Sequence, residues 1–303
     1  MIGTPAVKRQ GASQFGPDDL VNRRTFLGGA ALLALGVAGC GPAGKASTAN
    51  GPERPGPFVV LPDTFDFFAG ITQRVAFALA TNGGDAVHPT GPVSVQIGDA
   101  HGRFGPPQVA VLHGDGLANP YLLAYHRFDA PGLSTLRVAY RGGHSDLPIQ
   151  VIRTSSTPIP TAGKAMISVP TPTVSRPLGV NPVCTNQPPC PFHAVSLDTA
   201  LAAHQRVALI FATPALCQSR FCGPTLDNLV AAHQRFAGRI TFIHCEIYTD
   251  LGGQTATPPV TAYHLQHEPM LLLAAPDGTV TERIDNAFDR AEAIDALGRL
   301  AQG

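Results

Sequence analysis

The stretch FATPALCQSRFCGPTLDNL, residues 211–229, decides the fold of the second half of this 303-residue chain. It begins at the end of the apolar run Val207–Phe211, which predicts a buried strand. Two cysteines follow, Cys217 and Cys222, and apolar residues then recur at helical spacing. A helix N-terminus favours a thiolate because its free N–H groups and its dipole lie near the sulfur. The stretch therefore predicts a strand, a cysteine-bearing turn and a helix, with reactive thiols between them.

Regular elements are predicted on both sides of this stretch. Residues 197–205 predict a short helix, and residues 240–247 predict a second strand. The segment 268–301 predicts two strands joined by an Ala-Pro-Asp-Gly turn. A final amphipathic helix follows, for which Asp289 and Glu292 predict a capping box. Strands that alternate with helices in this way are typical of an α/β domain.

This order of elements resembles the thioredoxin fold over residues 195–300. The letters CGP, which begin at Cys222, are three of the four letters of the thioredoxin signature CGPC, and Thr225 stands at the fourth. In that family a strand phenylalanine lies shortly before the nucleophilic cysteine. Cys217 lies six residues after Phe211, whereas Cys222 lies eleven residues after it. By this register, the resemblance implies that Cys217 is the nucleophile and that Cys222 is its resolving partner.

The resemblance also implies roles for two further residues. Thioredoxins place a cis-proline before the strand that faces the cysteines, and Pro269 stands at the matching place. Arg220 occupies the usual resolving position, where its charge would help to hold a nearby thiolate. The implied activity is thiol–disulfide exchange with the thiols or disulfides of exported proteins, without a cofactor.

The C-x4-C spacing departs from the family's C-x-x-C, so thioredoxin-like reducing strength does not carry over. Two alternatives therefore stay open. The cysteines could form a structural disulfide in a non-catalytic binding or scaffold protein. The chain could also deliver copper as exported thioredoxin-like copper chaperones do, with Cys217, Cys222 and His267 as the metal ligands.

Three further cysteines are read as structural. Cys184 and Cys190 enclose the short loop CTNQPPC, and no helix directly follows to activate them. They predict a structural disulfide, since disulfides persist in exported proteins. Cys245 lies in an apolar strand and predicts an inert buried thiol.

The first half of the chain predicts an all-β sandwich over residues 58–153, and one of its segments resembles immunoglobulin-like domains. Short β-type runs alternate there with turn clusters, and no segment of helical length and period interrupts them. The segment FDAPGLSTLRVAY, residues 128–140, resembles an edge hairpin of immunoglobulin-like domains. Residues 154–180 are rich in Ser, Thr and Pro and predict a linker to the thioredoxin-like domain, residues 181–303. The predicted architecture has two domains.

The N-terminus predicts export and a lipid anchor. Arg23 and Arg24 precede a short apolar segment and resemble a twin-arginine export signal. The sequence VAGC that follows resembles a bacterial lipobox, which implies lipidation of Cys40 and ends the signal segment, residues 1–40. Residues 41–57 are small, polar and Pro/Gly-rich, and predict a tether. We expect a protein anchored at the extracytoplasmic face of the cell membrane.

The composition limits the classes of partner that we expect. Charged residues make up 14% of the chain and balance to a net charge of +0, so no broad basic surface favours nucleic acid. The 32 glycines and 29 prolines favour strands, turns and linkers over long helices. The sequence therefore predicts protein partners and a membrane, and no nucleic acid.

Overall fold

A computed structural model describes residues 54–217 and 219–303, which belong to one compact unit, Asn50–Gly303. The predicted signal segment with Cys40, and most of the predicted tether, lie outside the described residues. Within the two described ranges, no helix is both long enough and apolar enough to cross a membrane.

The first half of the described chain is a curled β-sheet. Its ten strands are β1 (Arg54–Pro55), β2 (Val59–Pro62), β3 (Phe67–Ala69), β4 (Thr72–Ala80), β5 (Ala86–Val87), β6 (Val93–Gly98), β7 (Gln108–His113), β8 (Tyr121–Arg127), β9 (Gly132–Tyr140) and β10 (Gly143–Arg153). The strand order is β1-β10-β9-β6-β7-β8-β4-β2, with β3 beside β10 and β5 beside β4. Strand β7 pairs with β6 on one side and with β8 on the other, so it connects the two halves of the curl.

Alternation of apolar residues explains the curl's interior. In β9 every second residue from Ser134 to Tyr140 is buried, because successive side chains of a strand point to opposite faces. The larger cluster of buried side chains in the curl includes Phe77, Val95 and Leu136. Burial of each such apolar side chain contributes about 1.5–3 kcal/mol relative to leaving it exposed.

The edge hairpin predicted for residues 128–140 is wrong. Strand β9 lies between β6 and β10 and is hydrogen-bonded on both sides. Strand β8, which precedes the Pro-Gly turn, pairs instead with β4 and β7. The turn therefore carries the chain from one half of the curl to the other rather than closing a hairpin.

The second half is a smaller mixed sheet with helices. Its elements are α1 (Leu197–Ala202), β11 (Val207–Phe211), α2 (Cys222–His233), β12 (Thr241–Cys245), α3 (Pro258–Tyr263), β13 (Met270–Ala274), β14 (Val280–Asp285) and α4 (Arg290–Gln302). The strand order is β12-β11-β13-β14, with β12 parallel to β11 and with β13 antiparallel to both of its neighbours. The predicted elements are all present, and α3 is an element that the sequence patterns did not indicate.

The central strand β11 is buried on both faces, which is why it is a continuous apolar run. Ala208 and Ile210 lie in a core cluster with residues of α2 and α4. Val207, Leu209 and Phe211 lie in a second cluster with residues of α1 and α3. The cysteine-bearing connection that follows β11 therefore starts from a strand that is packed on both faces.

The segment predicted as a linker follows the small sheet closely. The N–H of Gly163 donates to the Val280 carbonyl at 2.8 Å, and the N–H of Met166 donates to the Gly278 carbonyl at 2.8 Å. Ile159 and Met166 are buried in the core cluster of β11. The two-domain layout is not confirmed, because residues 50–303 form one compact unit.

Buried charges join the curled sheet to the small sheet. Arg74 of β4 donates from Nε to Glu292 of α4 at 2.7 Å and contacts Asp63 at 3.0 Å. Asp289 caps α4 as predicted, since its side chain accepts the Glu292 N–H at 2.8 Å. The reciprocal half of the capping box is absent because the Glu292 carboxylate turns to Arg74 and to the Tyr121 hydroxyl.

Candidate dithiol site

Cys217 and Cys222 lie side by side where α2 begins. Cys222 is the first residue of the helix and is fully buried, whereas Cys217 lies in the preceding connection and is half-buried. The Cys222 backbone N–H donates to Cys217 Sγ at 3.4 Å, and Ser219 Oγ lies 3.2 Å from the same sulfur. The structure therefore brings the two predicted cysteines together, with Cys217 as the accessible one. We call this pair the dithiol site.

The surroundings shift the pKa values of the two thiols in opposite directions. Hydrogen bonds from the Cys222 thiol, the Ser219 hydroxyl and backbone N–H groups lower the pKa of Cys217 to about 5, although partial burial opposes this. The hydrogen bond to Cys217 and burial raise the pKa of Cys222 above its ordinary value. At neutral pH, the pair consists of an accessible thiolate and a buried, protonated thiol. An accessible thiolate is the reactive form of cysteine.

Pro269 lies directly before β13, the strand that pairs with β11. The Glu268–Pro269 peptide bond is cis, as the resemblance implied. The next residue, Met270, begins β13 and pairs with Phe211 at the end of β11, where the cysteine connection starts. The Pro269 carbonyl already accepts the Asn286 N–H at 2.8 Å.

Glu268 is a member of the site that sequence reasoning missed. Its carboxylate and the sulfurs of Cys217 and Cys222 have atoms that all lie within 4.8 Å of one another. Burial, together with the negative charge of Cys217, raises the pKa of Glu268 to about 7. The available signal was an acidic residue directly before Pro269, at the start of the strand that faces the cysteines.

Two predicted site residues lie apart from this group. Arg220 is exposed, and its backbone N–H donates to the Cys217 carbonyl at 3.3 Å. Within the described part of the chain, no hydrogen bond or ion pair joins its side chain to Cys217. His267 lies 3.5 Å from Asp285 and belongs to a different group, with Asp66 and Asp285. The copper ligands Cys217, Cys222 and His267 are therefore not assembled.

The predicted disulfide partners form a second cysteine group. Cys184 and Cys190 are free thiols in this structure rather than the predicted disulfide. With His193 and His244 they form a buried cluster whose ligand atoms all lie within 4.8 Å of one another. We call it the Cys2His2 group. The Phe192 carbonyl accepts the His244 N–H at 3.1 Å, which holds this loop along β12.

Comparison with known proteins gives no family. No protein-family model matches the chain, and no curated protein matches it. A solved structure of a thiol:disulfide interchange protein of the thioredoxin family from Chlorobium tepidum TLS is 14% identical, covers 47% of this chain and 97% of its own, and has a TM-score of 0.32. The Lin-41 filamin domain is 13% identical, with coverage of 33% and 98% and a TM-score of 0.23.

A third solved structure is similar to this chain over only a small part of its own length. An endoglucanase variant from Alicyclobacillus acidocaldarius is 11% identical to this chain, with a TM-score of 0.23. The match covers 34% of this chain and 16% of the endoglucanase. At these TM-scores the similarities assign neither a family nor a function, and the chemistry has to be argued from the site.

Proposed function

We propose that this chain is a thioredoxin-like protein that exchanges thiols and disulfides with exported proteins through the dithiol site. The observation that carries the proposal is the half-exposed Cys217 thiol, whose pKa is lowered to about 5 beside the buried Cys222. A structural cysteine pair needs neither an accessible sulfur nor a lowered pKa. Thiol–disulfide exchange needs an accessible sulfur and proceeds through the thiolate, whose population at neutral pH a lowered pKa increases.

In the proposed reaction the Cys217 thiolate attacks a disulfide of the client protein. A bond forms between Cys217 and one client sulfur, and the other client sulfur leaves as a thiolate. Cys222 then loses its proton and attacks Cys217 Sγ, which releases the second client sulfur and leaves a Cys217–Cys222 disulfide. Two electrons pass from the cysteine pair to the client, and the reverse sequence would oxidise a client dithiol.

The second step requires a base, because the pKa of buried Cys222 is raised. Glu268 is placed for this role, since its carboxylate belongs to the same group of atoms and burial raises its pKa. A carboxylate whose pKa is raised can accept a proton and return it more readily near neutral pH than an exposed one. Glu268 therefore activates the resolving thiol in our proposal.

The residue that we expect to contact the client is one position before the residue that the sequence resemblance implied. Pro269 has no N–H, and its carbonyl already accepts the Asn286 N–H. We therefore assign the backbone contact with the client to Glu268, the residue on the other side of the cis bond.

Trapping of a mixed disulfide tests this proposal. The reduced Cys222→Ser variant is incubated with a disulfide-bonded peptide, and covalent adducts are separated and mapped by mass spectrometry. We expect the peptide on Cys217, because the resolving step is blocked. The Cys217→Ser variant is the matched control and should give no adduct.

The wild-type protein, measured together with the trapping variant, decides between exchange and scaffolding. A reduction potential of the Cys217–Cys222 pair well below about −300 mV, with an unperturbed Cys217 thiol and no trapped adduct, would leave the non-catalytic scaffold as the remaining function. We do not propose copper delivery, since His267 lies with Asp285 rather than with the cysteines.

We also propose that the chain acts outside the cytoplasm, anchored by a lipid on Cys40. The support is the sequence alone, namely Arg23 and Arg24 before an apolar segment that ends in VAGC. Metabolic labelling with an alkyne fatty acid should mark the full chain but not its Cys40→Ser variant. Equal labelling of both proteins would exclude this anchor.

A further inference from the structure

We propose that the Cys2His2 group, formed by Cys184, Cys190, His193 and His244, is a structural Zn²⁺ site. It is separate from the dithiol site and takes no part in the chemical steps proposed there. Two thiolates and two imidazoles are a common ligand set of tetrahedral structural zinc. The argument rests on the distances between the ligand atoms, the orientation of one histidine and the burial of all four side chains.

The distances between ligand atoms fit a tetrahedron around one ion. With Zn–S of about 2.3 Å and Zn–N of about 2.0–2.1 Å, a tetrahedral site has S···N separations of about 3.6 Å and an N···N separation of about 3.3 Å. Cys190 Sγ lies 3.4 Å from His193 Nε2 and 3.4 Å from His244 Nδ1. Cys184 Sγ lies 3.7 Å from His244 Nδ1, and the two ring nitrogens are 3.2 Å apart.

The orientation of His244 directs Nδ1 at the other three ligand atoms. Its Nε2 donates to the Ala212 carbonyl at 2.9 Å, so Nδ1 is the ring nitrogen that faces the group. Three heteroatoms lie 3.2–3.7 Å from Nδ1, more than one ring nitrogen can pair with in good hydrogen-bond geometry. One cation at their centre would contact all four ligand atoms. A backbone carbonyl that fixes the other ring nitrogen is the usual outer partner of a metal-binding histidine.

Burial favours a closed structural site over a site of exchange. All four residues are buried, with Cys184 at 8%, Cys190 at 7%, His193 at 4% and His244 at 0% exposure. Zn²⁺ with two thiolates and two neutral imidazoles has no net charge, so its burial avoids the cost of an isolated ion. The Cys190 N–H also donates to Cys184 Sγ at 3.3 Å, which stabilises a thiolate at that position.

The experiment uses the full chain, reduced and stripped of metal, with Zn²⁺ or Co²⁺ as the only added metal. We expect about one Zn²⁺ per chain by elemental analysis. The Co²⁺ form should show the d–d bands of a tetrahedral site and a sulfur-to-cobalt charge-transfer band. X-ray absorption of the zinc form should show two sulfur and two nitrogen neighbours, and this measurement needs no variant.

Variants assign the metal to this group. His193→Ala should weaken Zn²⁺ binding by more than about 100-fold, and Cys190→Ser should remove the charge-transfer intensity of one thiolate. The matched control is the double variant Cys217→Ser and Cys222→Ser, which should keep the full equivalent of Zn²⁺. The proposal is overturned if the double variant loses the metal, if the Co²⁺ spectrum is octahedral, or if reduced wild-type protein takes up no Zn²⁺.

Discussion

Alkylation of Cys217 as a function of pH tests the central claim that this thiol is ionised near neutral pH. Hydrogen bonds from the Cys222 thiol and the Ser219 hydroxyl lower the Cys217 pKa to about 5. At pH 6 such a thiol is roughly nine-tenths thiolate, whereas a peptide thiol with a pKa of about 8.5 is only about 0.3% thiolate. The advantage in thiolate population is therefore about 300-fold.

Part of this advantage is lost because a less basic thiolate is a weaker nucleophile. With a Brønsted coefficient of about 0.45, a pKa difference of about 3.5 lowers the intrinsic reactivity about 40-fold. We therefore expect Cys217 to react about 5- to 10-fold faster than a peptide thiol at pH 6, and about 30-fold slower at pH 9. The crossing of the two profiles distinguishes a lowered pKa from simple exposure.

The assay treats the reduced full chain with iodoacetamide between about pH 4 and about pH 10, and quantifies the Cys217 peptide by mass spectrometry. The rate should reach its plateau above about pH 6, because the thiol is then ionised. Cys222→Ala removes the donor thiol and should move the midpoint upward. Cys222→Ser keeps a hydroxyl donor and should move it less. A wild-type midpoint above about pH 8 would refute the reasoning.

Three further changes separate the contributions of other residues. Glu268→Gln should slow release of a client from the Cys217 mixed disulfide at pH 7 to 8 without abolishing its formation, as followed by quenched-flow mass spectrometry. Folding raises the pKa of Glu268 from 4.5 to about 7, so the free energy of unfolding of wild type falls as the pH rises through this range. Gln does not ionise, and above pH 7 the variant should therefore have a free energy of unfolding up to about 3 kcal/mol higher than wild type, measured with urea. Arg74→Met leaves Glu292 buried without its partner and should lower the free energy of unfolding by about 3–5 kcal/mol, whereas unchanged urea midpoints would contradict the structural role of this ion pair. Phe65→Ser should slow reaction with an unfolded disulfide-bonded protein but not with a small disulfide. Phe65 is 46% exposed, and its ring centroid lies 4.9 Å from that of His267, which is two residues before Pro269.

The sequence patterns predicted the local elements well because each depends on nearby residues. Strand β11 is a short apolar run, β9 alternates buried and less buried residues, and Asp289 precedes a helix in a capping position. The succession of strands and helices then placed Cys217 and Cys222 at one helix N-terminus. What failed locally was the hairpin at residues 128–140, because a Pro-Gly turn does not specify which strands it connects.

The residues that the patterns missed come together only through the tertiary fold. His244 lies 54 residues after Cys190 in the chain, so no local period joins them. A histidine inside the apolar strand β12 was a signal, because a buried imidazole requires partners. The Arg74–Glu292 pair spans 218 residues and replaces the expected second half of a capping box. Such contacts are set by how sheets meet rather than by sequence spacing.

The two cysteine groups are connected through one threonine. The Thr185 N–H and hydroxyl donate to the Glu246 carboxylate, and the Thr185 hydroxyl accepts the Ala215 N–H at 3.1 Å. Ala215 lies two residues before Cys217, in a connection that belongs to no strand or helix. The position of Cys217, and with it the hydrogen bonds that lower its pKa, therefore depends on the loop that contains Thr185. A cation held next to Thr185, by Cys184, would fix that loop, so the Cys2His2 group supports the geometry of the dithiol site without taking part in its chemistry.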